Sequence, residues 1–260
     1  MENKNEFIKK IKKIIEENLP DTILNITSNV SNTPLINIDR KKFLKRELRK
    51  YYSDEIIKKA IETNPYSAGI PIDIINKIAD NCIKYERSIT TATAAVLGAP
   101  GIVSAPVFAG ILIADISQYY GFLLRIMQKL LYLYGFPEIK NVEDEVDDET
   151  KFKLLQFMCV MLSVNNGANN IGNLAKDALQ KQAKNIVRQS LTKTTTWYPL
   201  LKDLAKKLGK NLTKKGLEKS ANKVIPFVGA VINGGATYIV FKQQANNLKN
   251  YLINFYGKDF

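Results

Sequence analysis

Four polar side chains interrupt the most apolar part of this chain: Asp115, Gln118, Arg125 and Lys129, spaced 3, 7 and 4 residues apart. On a helix turning 100° per residue they fall within an arc of about 80°, so they make one polar stripe on an otherwise apolar rod. Such a rod belongs in the middle of a bundle or in lipid, and in either place the stripe must find partners or water. The stripe is therefore expected to be a buried polar network before it is expected to do chemistry. Asp115 and Arg125 should each have a hydrogen-bonding or ionic partner, and Asp115→Ala should destabilise the fold by roughly 1–4 kcal/mol.

Other chemistry is narrowed by composition. The chain has 260 residues and no histidine, which removes Ser-His-Asp and Cys-His nucleophile pairs, histidine bases and imidazole metal ligands. Cys82 and Cys159 stand 77 positions apart in apolar periodic segments, so each is expected as a buried free thiol in a reducing compartment. In EDEVDDE, residues 143–149, six of seven positions are acidic. The run lacks the spacing of a calcium loop, and its carboxylates suit the positive end of a following helix. No catalytic residue, cofactor or metal is assigned.

Charge is divided unevenly. Residues 1–150 carry 20 Lys and Arg against 21 Asp and Glu, whereas residues 151–260 carry 18 against 4. The excess sits largely between Lys176 and Lys223, where 13 basic residues meet 3 acidic ones. Leu200, Leu204, Leu208 and Leu212 recur every fourth residue there, with Lys202, Lys206, Lys207, Lys210, Lys214 and Lys215 between them. This basic amphipathic pattern points to an anionic membrane surface or an acidic protein partner, the exposed side of the leucine row adding to the first. Nucleic acid is the weaker candidate, because Trp197 and Tyr198 are the only aromatic pair there and no recognised nucleic-acid motif occurs.

These side chains need helices to hold them. Apolar residues such as Ile74, Ile75, Ile78, Ala79, Cys82 and Ile83 keep a 3.6-residue period, and alternating strand patterns are nearly missing. Breaks are expected at Pro20, residues 64–71, 98–101, 135–138 and 165–172, Pro199 and Pro226. The expectation is an all-α bundle of about 8–10 helices, with residues 111–134 as the most buried. No charge occurs in residues 88–114, a run long enough to cross a bilayer, but only ten of its 27 residues are Val, Ile, Leu or Phe. Its prolines and glycines make it two short helices in a hairpin. A second uncharged run, residues 224–241, carries PFVGA, an echo of PVFAG at Pro106. The N-terminus lacks a secretory leader pattern; Phe7, Ile8, Ile11, Ile14 and Ile15 instead make one face of a docked amphipathic helix.

Two segments, GIVSAPVFAGILIADISQYYGFLLRIMQKLLYLYGF and KKLGKNLTKKGLEKSANKVIPFVGAVINGGATY, together resemble the EcsC family. The first has that family's glycine-rich stretch, then Asp115, Arg125, and Tyr134-Gly135 closing the helix. The second has its basic region followed by Ile225, Pro226, Gly229 and Ala230. The resemblance spans about residues 74–260, dividing the chain into an unmatched helical region, 1–70, and an EcsC-like helical domain, 71–260. It implies a bacterial protein on the cytoplasmic side of the membrane and supplies no catalytic residues. The leading expectation is a non-enzymatic protein at the cytoplasmic face of anionic membranes, with insertion of the hairpin as a further step. A soluble partner of a transporter or secretion component comes second, and a histidine-independent enzyme third.

Overall fold

The computed structural model describes residues 4–94, 104–142, 145–164, 198–220 and 234–257. Within them the chain is an all-α bundle of eight helices: α1 Lys4–Ser28, α2 Arg40–Leu48, α3 Asp54–Glu62, α4 Ile72–Ala94, α5 Ala105–Leu133, α6 Asp148–Leu162, α7 Tyr198–Ser220 and α8 Gly234–Ile253. A two-residue antiparallel pairing, β1 Asn141–Val142 with β2 Glu145–Val146, precedes α6.

The apolar rod is α5. From residue 126 to residue 133 every position is buried, so this stretch meets neighbours all round. Helices α1, α2, α4, α6, α7 and α8 all pack on it. It is the one helix among the described residues long and apolar enough to span a membrane, a property that the central helix of a bundle shares. It begins earlier than its charge pattern suggests, because Ser104 takes the N-cap position and Pro106 falls in the first turn, where a missing N–H costs nothing. It ends at Tyr134. Gly135, at φ +107°, reverses the chain so that Phe136 N–H reaches Leu131 O at 2.9 Å, and the last carbonyls are satisfied.

Hydroxyls fasten α5 to its neighbours. The Tyr120 and Thr27 hydroxyls lie 2.7 Å apart on α5 and α1. Tyr119 Oη donates to Gln244 Oε1 of α8 at 2.6 Å, and Tyr134 Oη to Asn76 Oδ1 of α4 at 2.6 Å. Arg40 is buried, with the charge of Glu138 near it but no ion pair among the described residues. Its guanidinium donates to the carbonyls of Ala60, Ile61 and Thr63 at the end of α3 and of Phe136 after α5. Free carbonyls at a helix C-terminus carry partial negative charge, which suits a buried cation.

One expected break is absent. Pro20 lies inside α1. Proline removes one backbone hydrogen bond and bends a helix, but Ile11, Ile15, Leu19 and Ile23 continue one buried row across it. Burial of that row on α5 and α7 outweighs the lost bond. The core is one cluster running from Ile11 to Leu252, so residues 1–70 and the rest of the chain share it.

Candidate functional site

Helix α4 brings the key residue. Its buried row, Ile75, Ala79, Cys82, Glu86 and Thr90, advances by 3 or 4 residues and faces the bundle, so Glu86 is carried into the core with no exposed surface. Arg125 and Lys129 of α5, one turn apart, meet it there. Arg125 Nε donates to Oε1 and Oε2 of Glu86 at 3.0 and 3.1 Å, and Lys129 Nζ donates to Oε1. The Lys129 ammonium also lies 5.4 Å from the Tyr85 ring centroid and 5.8 Å from that of Phe43, close enough for cation–π attraction. Arg125 Nη1 donates to the Leu35 carbonyl at 2.7 Å. Two cations surround one buried anion, Lys129 enclosed and Arg125 a quarter exposed, and each has further partners.

The other half of the stripe is not part of this triad. Asp115 is buried, at 5% exposure. Among the described residues its Oδ2 has no hydrogen bond, where a partner was expected. Burial alone raises its pKa to about 6, since no nearby charge favours the carboxylate. The reason lies in spacing: ten residues separate Asp115 from Arg125, about 15 Å along the helix axis. Gln118 is half-buried and makes no side-chain hydrogen bond among the described residues. Gln128, outside the stripe, is the amide that matters: it accepts from Ile38 N–H at 3.2 Å and donates to Ile36 O at 3.0 Å, fixing the α1–α2 connection on α5.

The basic face of α7 is laid out plainly. Leu201, Leu204 and Leu208 are buried, and α7 packs on α1. Lys202 and Lys206 are exposed on the other side, Lys207 is half-buried, and Lys202 Nζ sits 4.9 Å from the Tyr198 ring centroid. Leu200 is partly buried. Leu204 and Leu208 of the row thus belong to the core, a correction for these two to the expectation that the row adds apolar contact outside. For Lys210, Lys214 and Lys215, and for Leu212, only the helical backbone is described.

The acidic run divides. Asp147 is the N-cap of α6, accepting from Thr150 N–H at 2.9 Å and from its hydroxyl at 2.7 Å, and Asp148 and Glu149 lie in the first turn. Cys82 and Cys159 are free and buried, and burial pushes both thiols up to about 12. Such thiols are poor nucleophiles. The break at residues 98–101, the break at 165–172, Trp197, Pro226 and most of the second uncharged run lie outside the described residues.

Sequence reasoning missed Glu86, and a signal existed. Glu86 occupies the position where the row of Ile75, Ala79 and Cys82 calls for an apolar residue. A charge in a core register implies an opposite charge on the facing helix. No protein-family model, curated protein or solved structure matches this chain.

Proposed function

We propose that this chain is a non-enzymatic helical protein of the EcsC type that docks, through the basic face of α7, on the anionic cytoplasmic surface of a bacterial membrane. The observation that supports the reading is the split of α7: Leu201, Leu204 and Leu208 are buried in the core, and Lys202 and Lys206 project from the opposite side. A lysine near an anionic surface contributes about 1 kcal/mol, so the six lysines at positions 202, 206, 207, 210, 214 and 215 suffice for reversible docking. With Leu201, Leu204 and Leu208 turned inward, attraction is electrostatic more than apolar. Binding therefore falls steeply with salt, because charges are screened beyond about 8–10 Å at physiological ionic strength.

Flotation with phosphatidylglycerol vesicles tests this. The wild-type chain floats at low salt and is released as salt is raised, and neutral phosphatidylcholine vesicles retain none of it. Replacing Lys202, Lys206, Lys207 and Lys210 with Glu abolishes flotation and leaves the thermal unfolding midpoint within a few degrees of wild type. A wild-type chain that ignores anionic vesicles at low salt overturns the membrane reading. The same face would then belong to an acidic protein partner, the second reading of its charge.

A further inference from the structure

Helix α4 carries a second charged row, on a different side from Glu86. Asp80, Lys84 and Arg87, spaced 4 and 3 residues apart, face α8, which answers with Lys242, Asn246 and Lys249 at the same spacing. Between the two rows lies a cleft of about 400 Å³. Lys249 Nζ donates to Asp80 Oδ1 at 2.6 Å and ties the helices together across it. That pair consumes the one carboxylate among the lining residues. Lys84, Lys242 and the Asn246 amide make no hydrogen bond or ion pair among the described residues.

Four cations therefore line the cleft with one anion; Lys249 is paired with it, and Lys84 and Lys242 are two positive charges without an ion pair among the described residues. Like charges held together across the cleft are relieved by a bound counter-ion. The chemistry of the donors selects the ion. A monocarboxylate supplies one charge, whereas a phosphate monoester carries between one and two near neutral pH and offers three terminal oxygens to ammonium and amide donors. The volume lies at the small end of ordinary ligand pockets, with room for a group attached to the phosphate.

We propose that the α4–α8 cleft binds a phosphate monoester or a polyphosphate, with Lys84 and Lys242 as its cationic contacts and Asn246 as its amide donor. The site is independent of α7 docking. Its natural ligand is either a soluble phosphorylated compound or the phosphate of a lipid headgroup, and the two sources are separable by experiment.

Inorganic pyrophosphate and glycerol phosphate serve as soluble probes in calorimetric titrations at low salt, and phosphatidate vesicles as the membrane probe. The wild type binds at least one probe saturably. Lys84→Ala with Lys242→Ala weakens that binding by about tenfold or more, as loss of charge-assisted contacts requires. Both positions are exposed, so the unfolding midpoint of the ligand-free protein stays unchanged. The α7 variant Lys202→Glu with Lys206→Glu keeps its affinity for the soluble probes. Vesicle binding is read in chains that also carry Lys202→Glu, Lys206→Glu, Lys207→Glu and Lys210→Glu, so that α7 docking is absent: flotation with phosphatidate vesicles that Lys84→Ala with Lys242→Ala abolishes makes the ligand a headgroup, and no flotation beside retained soluble-probe binding makes it a soluble phosphate. Equal affinity of wild type and cleft variant for every probe, or no saturable binding by the wild type, overturns the proposal. Failure of α7 docking leaves these results untouched, so the two claims fall separately.

Discussion

Near its C-terminus α5 carries two cations, Arg125 and Lys129, and both reach Glu86; further upstream the same helix carries Asp115, whose Oδ2 has no hydrogen-bond partner among the described residues. Both carboxylates are buried. Glu86 is held by two charged donors, and Asp115 faces apolar surroundings that raise its pKa to about 6. A polar stripe on one helix therefore does not organise itself into a network. Compensation comes from what the facing helix places opposite, and α4 places Glu86 opposite Arg125 and Lys129. One region of α5 is a fixed electrostatic joint, and the other stores an uncompensated charge that protonation can remove.

Breaking the joint gives the largest expected effect. Glu86→Gln keeps the shape and removes the anion, leaving the ammonium of Lys129, only 3% exposed, without a counter-charge. Stranding a buried charge costs about 3–5 kcal/mol. Urea unfolding should show a loss of that size, and Glu86→Gln combined with Lys129→Met should recover much of it. A neutral single substitution would mean that water or another anion already compensates the cations.

Asp115 should respond in the opposite direction. The pKa of its folded form, about 6, lies above the ordinary value of 3.8. The folded protein therefore holds the proton more tightly, and stability falls as pH rises from about 4 to about 6. At pH 7 the full penalty is present, roughly 2–3 kcal/mol for a shift of this size. Asp115→Asn should thus stabilise the protein at pH 7 by up to that amount, with the gain shrinking to near zero at pH 4. This reverses the sign expected from sequence, where a partner was assumed. Destabilisation by Asp115→Asn at neutral pH would restore the partner and place it outside the described residues.

The all-α class, the central position of α5 and the capping role of the acidic run were legible because each rests on periodicity or end chemistry within one segment. The continuation of α1 through Pro20 was not, since it depends on a buried row shared with other helices. The triad was half legible. Arg125 and Lys129 stood out as charges in an apolar helix, whereas Glu86 sits in a helix already rich in polar residues, where only its register marks it as internal. The fate of Leu204 and Leu208 was ambiguous for the same kind of reason. An amphipathic row fits a core and a membrane equally well, and the presence of α1 decides.

Between the joint and the lone carboxylate, Tyr120 offers a neutral reference on the same helix. Its ring is fully buried, and its hydroxyl lies 2.7 Å from that of Thr27, which also donates to Ile23 O at 2.8 Å. With the Thr27 proton spent on that carbonyl, Tyr120 is the donor of the pair, and Thr27 Oγ1 accepts. Tyr120→Phe removes the donor and leaves the threonine its own bond, so the cost is that of one neutral hydrogen bond, about 1 kcal/mol. Its effect should be the same at pH 4 and pH 7, because neither hydroxyl ionises in that range. Measured beside Asp115→Asn, it separates the pH-dependent part of the α5 response from simple loss of packing. A pH-dependent Tyr120→Phe difference would show that the acid response of this helix is not confined to Asp115.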